Sequence, residues 1–179
     1  MSYLEEKLIK REEIFHGVAL HIVKDEILLP NGNHGVREIS IHDGASAVIP
    51  VLSDGRVIME RQYRYAHHRV MLEIPAGKLN YANEDPLEAA KRELHEETGA
   101  IANKFTFLGK IATCPALVEE VVHLYLAEDI TLGERALDPD EFLDIEFIHI
   151  DKLYDMVMNG EIQDSKTQIA ILKAREYLK

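Results

Sequence analysis

Three glutamates lie close together in one short segment of this 179-residue chain, the run RELHEETG at residues 92–99. Glu93, Glu96 and Glu97 are spaced i, i+3 and i+4, so on a helix their side chains are neighbours. Like charges at this spacing repel, and near the end of a helix the macrodipole also disfavours negative charge. A shared divalent cation such as Mg²⁺, which takes oxygen ligands and often substrate phosphates, would remove both costs. The run therefore predicts a metal-assisted enzyme acting on phosphate esters or anhydrides.

The flanking residues predict that this run belongs to a helix over 86–98. Asp85 is a suitable N-cap, Pro86 occupies the favoured first helical position, and Gly99 can end the helix in the left-handed conformation. A solvated acidic helix end is the plain alternative for such a run. It does not account for the placement of the acids at the unfavourable end of the helix.

Helical periodicity separates the three glutamates. At about 100° per residue, Glu93 and Glu97 fall together beside an apolar stripe, while Glu96 points further toward solvent. The sequence thus predicts two inward-facing carboxylates and one more exposed carboxylate.

A longer pattern surrounds the run and carries a family resemblance. Read with Gly77 and Glu84, the segment resembles the Nudix box: a glycine, a glutamate in the following loop, a short spacer, and then Arg-Glu-aliphatic-x-Glu-Glu-x-Gly-aliphatic. Residues 92–100 match, with Ala100 as a small final residue. Asn83 stands where the first glutamate is expected and Glu84 follows one residue late, which indicates one extra residue in the loop before the helix.

Further segments resemble the ADP-ribose pyrophosphatase branch of the Nudix hydrolases, in the order of that branch and over nearly the whole chain. They are residues 14–17, 29–32, 37–38, 60–64, 72–77 and 160–167. The resemblance implies an α/β (α+β) Nudix fold, an α/β/α sandwich with a mixed β-sheet and a loop–helix–loop catalytic motif, plus a small N-terminal antiparallel sheet. It assigns residues 1–42 to N-terminal strands that help build a homodimer, and 43–179 to the Nudix hydrolase domain.

Composition excludes several classes of protein. A formal charge of −12 argues against nucleic-acid binding, which needs a basic patch. No apolar run approaches the ~20 residues of a membrane-spanning helix, and the amino terminus lacks the hydrophobic region of a signal peptide. The single Cys114 cannot form an intramolecular disulfide, which fits a reducing compartment. We therefore expect a cytoplasmic protein that binds neither nucleic acid nor membrane.

The predicted metal site combines the residues themselves with the resemblance. The residues favour Glu93 and Glu97 as the first ligands, with Glu96 as the third. The resemblance adds the backbone carbonyl of Ala76, and it makes Arg92 the group that orients a carboxylate. Mg²⁺ is the expected cofactor, with Mn²⁺ as an alternative because carboxylate sites accept both ions. Such ions lower the pKa of bound water and clamp phosphates.

The general base is predicted from a loop that ends at Glu120 between two predicted strands. This loop resembles the Ser-Pro-Gly loop of the branch, whose catalytic glutamate corresponds to Glu120. Because Ala116 stands where the branch has glycine, Glu119 is a competing candidate, and Glu97 could itself supply the base. Glu141, in a late acidic segment that also resembles the branch, is a weaker candidate for assisting the metal or the water.

The substrate is predicted from the resemblance to be a nucleotide sugar. An adenine needs an aromatic or guanidinium plane and polar groups along its edge, and arginine donates paired hydrogen bonds to phosphate. The candidate substrate-binding residues are Phe15, Arg37, Arg61, Tyr63, Arg64 and Glu73. We expect Mg²⁺-dependent hydrolysis of the pyrophosphate bond of ADP-ribose to AMP and ribose 5-phosphate.

Two alternatives remain open from the sequence. The same chemistry could act on other nucleoside diphosphate sugars or dinucleotides, or the chain could be a non-catalytic nucleotide-sensing module. The three intact glutamates of the run favour an enzyme over a sensor.

Overall fold

A computed structural model describes residues 3–80, 84–137, 139 and 141–179. Asn83, where the extra loop residue is predicted, lies outside the described residues, as do Asp138 and Asp140 of the late acidic segment. None of the helices formed by the described residues is long and apolar enough to cross a membrane.

The described part of the chain forms ten strands and three α-helices. In chain order they are β1 Lys7–His16, β2 His21–Leu28, β3 His34–Ile41, β4 Ala45–Pro50, β5 Arg56–Arg64, β6 Arg69–Glu73, β7 Ala76–Lys78, α1 Pro86–Thr98, β8 Ala100–Ala112, β9 Val121–Leu132, β10 Leu143–His149, α2 Ile150–Met158 and α3 Ser165–Tyr177.

These elements form two compact units. Unit 1 contains Met1–Asp43 and Ala112–Glu120, and unit 2 contains Gly44–Ile111 and Val121–Lys179. The first range of unit 1 ends one residue after the predicted N-terminal segment 1–42. Unit 1 also includes the loop that ends at Glu120.

Unit 1 is built on an antiparallel sheet of strand order β1-β2-β3. In β2, alternate residues Val23, Asp25 and Ile27 are buried, as the period of a strand with one covered face requires. The buried Asp25 is neutralised by Arg11 of β1, whose Nε and Nη2 donate to its two oxygens at 2.8 and 2.7 Å. The loop before Glu120 is joined to β3, because the Ser40 amide donates to the Leu117 carbonyl at 2.8 Å.

Unit 2 contains two sheets, of strand order β7-β4-β9-β8 and β10-β5-β6. Strand β4 is buried along its whole length and pairs parallel to β9, so its sequence ASAVIP is almost continuously apolar. Its side chains alternate between two cores. Val48 packs with the apolar residues of α1, whereas Ala47 and Ile49 pack with those of α3. Because successive strand residues face opposite sides, α1 and α3 cover opposite faces of this sheet. The predicted sandwich is confirmed.

Helix α1 has the bounds predicted from its capping residues. The Asp85 side chain accepts a hydrogen bond from the Leu87 amide at 2.9 Å, and Pro86 is the first helical residue. Gly99 ends the helix with φ of 72°, in the left-handed region. Local capping therefore fixes the position of the glutamate run along the helix.

Three strands have features that local sequence patterns do not predict. Strand β1 lies within the predicted N-terminal strands, but its sequence KLIKREEIFH lacks polar–apolar alternation, and all ten of its residues are exposed in unit 1. Strand β8 begins directly after Gly99, the residue that ends α1. The short strand β7 is paired with β4, with Ala76 opposite Ala47.

Candidate active site

Helical geometry places Glu93 and Glu97 of α1 inward and Glu96 toward solvent, as predicted. Glu93 and Glu97 are one turn apart on the inward face and are only 7% and 4% exposed. The Glu96 side chain is 40% exposed. Two carboxylates are thus buried side by side, which requires either protonation or a cation between them.

Strand β7 brings backbone against these carboxylates. The amide of Ala76 donates a hydrogen bond to Oε2 of Glu97 at 3.0 Å. At the next residue, a Cβ atom on Gly77 would overlap the carboxylate of Glu93. The glycine is therefore required by the close approach of the backbone to Glu93, a predicted metal ligand. This arrangement holds the Ala76 peptide, whose carbonyl is a predicted ligand, beside the helix.

Arg92 joins the predicted ligands to the preceding loop. Its Nη1 donates to Oε1 of Glu93 at 2.6 Å and to Oε2 of Glu96 at 3.1 Å. Its Nη2 donates to the Lys78 carbonyl at 3.2 Å, and Nε lies 3.4 Å from Oε1 of Glu84. Burial alone would lower the pKa of Arg92, but the surrounding carboxylates raise it above its usual value. The guanidinium therefore stays charged and donates to two carboxylates. Its role in orienting them for a metal ion remains a prediction.

The structure adds to the cluster Glu60, a residue with no role predicted from the sequence. Glu60 lies on β5, is 3% exposed, and has an oxygen, Oε1, with no hydrogen-bond partner among the described residues. A carboxylate that directly follows the buried residues Val57, Ile58 and Met59 is the sequence signal that could have identified it. Buried polar groups normally have partners, so an unpaired oxygen here indicates a missing ligand.

Electrostatics within the cluster support the same conclusion. Burial raises the pKa of Glu60 to about 8, although the positive charge of Lys166 opposes the rise. Burial, with the negative charges of Glu60 and Glu93, raises the pKa of Glu97 to about 10. Burial also raises the pKa of Glu93 against the opposing effect of Arg92. Glu141 lies near enough for its charge to contribute to both of the helix carboxylates.

The cluster therefore fits a hard divalent cation. Its donors are all oxygens: the carboxylates of Glu60, Glu93 and Glu97, the half-exposed Glu96, and the neighbouring carbonyl of Ala76. Carboxylate and carbonyl oxygens are the ligands that suit Mg²⁺ and Mn²⁺. A cation would satisfy the unpaired oxygen of Glu60 and offset the burial and the mutual repulsion that now favour protonation.

Two predicted substrate residues of unit 2, the partly exposed Arg64 and the buried Glu73, belong to one ion-pair network. Arg64 donates from Nε and Nη2 to the two oxygens of Glu73 at 2.7 and 2.8 Å. Lys166, at the start of α3, also donates to Glu73, and its Nζ lies 3.1 Å from Oδ2 of Asp164. Burial would raise the pKa of Glu73, but Arg64 and Lys166 lower it to about 2. These groups line a surface pocket.

The other predicted substrate residues of unit 2 lie on β5. Arg61 donates to Glu146 of β10 and remains partly exposed, beside a second pocket that also includes Arg69 and Gln163. The Tyr63 side chain is exposed. Lys166, like Glu60, is a residue for which the sequence analysis predicted no role, although both lie within family-like segments.

In unit 1, Phe15 is exposed on β1, and Arg37 of β3 donates to Glu6 and to the Val36 carbonyl. Both side chains are therefore accessible, and their assignment to substrate remains a prediction.

The candidate base Glu120 also belongs to unit 1. Its Oε2 accepts a hydrogen bond from the Thr113 hydroxyl at 2.7 Å, and its Oε1 lies 3.6 Å from Nε2 of His42. The loop does not need a glycine at residue 116, because Ala116 is not among the residues with positive φ. The amides of residues 117 and 118 both donate to the Cys114 carbonyl at 2.9 Å. Replacing the family glycine with Ala116 is thus compatible with an ordered loop.

Comparison with known proteins gives a consistent result. Residues 41–168 match the family model described as the NUDIX domain. The chain is 41% identical over 173 residues to a Bacillus subtilis (strain 168) protein named ADP-ribose pyrophosphatase, covering 96% of this chain and 93% of that one. It is 41% identical to a Bacillus methanolicus protein named methanol dehydrogenase activator, over 98% of this chain and 96% of that one. The crystal structure of an ADP compounds hydrolase shares the fold, with a TM-score of 0.86, 23% identity, and coverage of 99% of this chain and 96% of that one.

Proposed function

Because this chain belongs to the Nudix family, we propose that it hydrolyses the pyrophosphate bond of ADP-ribose to AMP and ribose 5-phosphate with Mg²⁺. The observation that carries the proposal is the buried cluster of Glu60, Glu93 and Glu97, packed against the backbone at Gly77. The relative named ADP-ribose pyrophosphatase supports the choice of substrate. Mn²⁺ is the alternative ion for the same all-oxygen site.

The reaction needs an attacking water in line with the leaving oxygen and stabilisation of the charge on the phosphate oxygens. A divalent ion, when bound, supplies Lewis acidity and an activated water. Glu93 and Glu97 would hold that ion, and Glu60 and Glu96 are the additional oxygen donors. Arg92 fixes the direction of the Glu93 carboxylate, and the Ala76 amide fixes that of Glu97.

Glu120 remains the proposed general base, with Glu119 and Glu97 as competitors. The Thr113 hydroxyl donates to one oxygen of Glu120 and holds its carboxylate in a defined orientation. Proton abstraction requires such an oriented acceptor with a free lone pair. Each carboxylate oxygen has two lone pairs, so this hydrogen bond leaves acceptor capacity for a water proton.

The test is product formation from ADP-ribose with Mg²⁺, using wild type, Glu97→Gln and Glu88→Gln. Glu88 is an exposed residue of the same helix that pairs with Lys91, so its variant is the matched control. We expect AMP from wild type and from Glu88→Gln, and a loss of about 100-fold or more in Glu97→Gln, since even indirect partners of metal ligands are worth 10–100-fold. Intact ADP-ribose after incubation with wild type would refute the substrate assignment.

A substrate panel separates the enzymatic alternatives. Other nucleoside diphosphate sugars and dinucleotides contain the same pyrophosphate bond and could use the same carboxylates. The proposal holds if kcat/KM for ADP-ribose exceeds that for the others. A preference for another nucleotide sugar would keep the chemistry and replace the substrate.

The non-catalytic alternative has one observation in its favour. The relative named methanol dehydrogenase activator is as similar to this chain as the relative named for pyrophosphatase activity, and its name describes an effect on another enzyme. Metal-dependent nucleotide binding without product would favour a sensing module. Turnover that depends on Glu97 would exclude it.

We also propose a homodimer formed through residues 1–42. Strand β1 is exposed along its full length within unit 1 and includes the apolar side chains of Leu8 and Ile14. Light scattering after size-exclusion chromatography should give twice the chain mass of 20.4 kDa. Leu8→Glu combined with Ile14→Glu should give the monomer mass if this strand is the interface.

A cytoplasmic location completes the proposal. The single Cys114 is partly buried and forms no disulfide, which suits a reducing compartment. Fractionation of producing cells, with detection of the chain by antibody, would test it. Recovery with secreted proteins would contradict it.

A further inference from the structure

A cluster of metal-ligating side chains lies at the turn end of the β1–β2 hairpin, within unit 1. His16 and His21 are the last paired residues of the two strands, facing each other across the turn. Their imidazole rings are stacked, with centroids 4.5 Å apart and planes within 6° of parallel. The Gly17 amide donates to the Leu20 carbonyl at 2.8 Å and closes the turn between them. The backbone thus holds the two imidazoles together.

Glu13 adds a carboxylate to this pair. Its Oε2 lies 3.0 Å from Nε2 of His21 and 3.9 Å from Nδ1 of His16. One ligand atom from each of the three side chains lies within 4.8 Å of the others. Two ligands bound to Zn²⁺ at tetrahedral angles are about 3.3 Å apart, given metal–ligand distances of about 2.0–2.1 Å. The two distances from Oε2 of Glu13, 3.0 Å to His21 and 3.9 Å to His16, lie on either side of this value.

Small side-chain movements would complete the geometry. The final torsion of a histidine side chain is soft, so each ring can rotate to direct its lone pair at a common point. Glu13 and His16 are exposed and His21 is partly exposed, so an ion can reach them and complete its coordination with water. Three protein ligands with remaining open positions are a known arrangement for Zn²⁺.

We propose that Glu13, His16 and His21 form a binding site for a divalent transition-metal ion of the Zn²⁺ class. The donor set of two imidazoles and one carboxylate selects such ions over Mg²⁺, which prefers oxygen ligands alone. The site is therefore chemically distinct from the all-carboxylate cluster of unit 2. A bound ion would join β1 to β2 at the turn.

The same sheet provides a matched control. His34 of β3 lies 2.8 Å from Oε1 of Glu26 of β2, in an exposed histidine–carboxylate pair. Among the described residues this pair is not part of a three-ligand group. A variant at His34 therefore removes a comparable ion pair without removing a ligand of the proposed site.

The test is calorimetric titration of the full chain with Zn²⁺ in excess Mg²⁺, for wild type, His16→Gln, His21→Gln and His34→Gln. We expect one Zn²⁺ per chain that Mg²⁺ does not displace, binding weakened roughly 100-fold in either of the first two variants, and no change in His34→Gln. Equal Zn²⁺ binding in all four proteins, or no Mg²⁺-resistant Zn²⁺ in wild type, would overturn the proposal.

A second measurement keeps the test valid if a variant fails to fold. The imidazole ring resonances of wild type should move on addition of one equivalent of Zn²⁺ for His16 and His21, but not for His34. Unchanged His16 and His21 resonances would refute the site without any substitution.

Discussion

Gly77 and Glu93 approach so closely that a Cβ atom at residue 77 would occupy the space of the Glu93 carboxylate. Strand β7 therefore lies against α1 with no side chain between its backbone and this carboxylate, which is a predicted metal ligand. The glycine is needed for space beside Glu93 and not for a turn, since Gly77 is not among the glycines with positive φ. It also places Ala76 where its amide reaches Glu97 at 3.0 Å.

Gly77→Ala should displace Glu93 and weaken the metal site. We expect activity with ADP-ribose at low Mg²⁺ to fall by about 10–100-fold, with partial recovery at high Mg²⁺, since disturbing the surroundings of a metal ligand has effects of this size. The measurement is initial rate against Mg²⁺ concentration. Gly35→Ala on β3 is the control, because the atoms nearest to its Cβ would be side-chain atoms of Leu29 and Ile27 at 3.3–3.4 Å, and no predicted metal ligand is among them. An unchanged Mg²⁺ dependence in Gly77→Ala would contradict this prediction.

Local sequence signals are enough to predict the bounds of α1 and the orientation of its glutamates, because capping and helical periodicity act over a few residues. Asp85 and Gly99 set the ends of the helix, and the period of the helix then sets which carboxylates are buried. The composition of a short segment contains all of this information. The structure adds no correction to the position of Glu93 or Glu97.

Contacts between distant segments could not be derived in this way. The position of Glu60 after three apolar residues indicates a buried carboxylate, but not its partners. Glu60 joins the cluster because β5 and α1, far apart in sequence, pack in one unit. Lys166 reaches Glu73 across a separation of 93 residues for the same reason. The histidines of the β1–β2 turn lack the spacing of metal ligands along the sequence, and the hairpin pairing of His16 with His21 brings their rings together.

Arg92→Lys should lower metal affinity more than it lowers the turnover number. Lysine keeps the charge, but it lacks the planar fork with which Arg92 contacts Glu93, Glu96 and the Lys78 carbonyl. We expect the Mg²⁺ concentration for half-maximal rate to rise by about 10–100-fold, with a smaller change in kcat at saturating Mg²⁺. Lys91→Ala, which removes an exposed pair with Glu88 and a 5.9 Å contact with the Phe105 ring but no contact with Glu93 or Glu96, should keep the wild-type metal dependence. Equal metal dependence in Arg92→Lys and wild type would argue against the orienting role.

Glu120→Gln and Glu119→Gln together identify the general base. The variant that removes the base should lose about 10²–10⁴-fold in kcat while keeping the Mg²⁺ dependence of wild type, because proton transfer and not metal binding is affected. We expect this result for Glu120→Gln and near wild-type turnover for Glu119→Gln. If kcat falls in neither variant, Glu97 remains as the candidate base.

Thr113→Val tests how the Glu120 carboxylate is oriented. The substitution removes the hydroxyl that donates to Oε2 of Glu120 at 2.7 Å and keeps the side-chain volume. We expect a smaller fall in kcat than in Glu120→Gln, because the carboxylate remains and only a group that orients it is lost. The measurement is kcat at saturating Mg²⁺ beside the free energy of unfolding. A fall in stability with an unchanged kcat would mean that the hydrogen bond is only structural.

Stability against acid should depend on Glu73. Arg64 and Lys166 hold the pKa of Glu73 at about 2, lower than the ~4.3 of a glutamate in an unfolded chain. The folded state therefore keeps this group charged at pH values where the unfolded state binds a proton. Its stabilising contribution, roughly 3 kcal/mol, is complete above about pH 4.3 and is lost as the pH falls toward 2.

Glu73→Gln should remove this part of the pH dependence. We expect the free energy of unfolding, measured by denaturant titration between about pH 5 and pH 3, to fall less steeply with decreasing pH than in wild type. Overall stability should also fall, because Arg64 and Lys166 lose their buried partner. Glu146→Gln, which removes the more exposed partner of Arg61, is the control and should keep the wild-type slope. Parallel slopes for wild type and Glu73→Gln would show that other carboxylates, and not this buried one, determine the acid sensitivity of the fold.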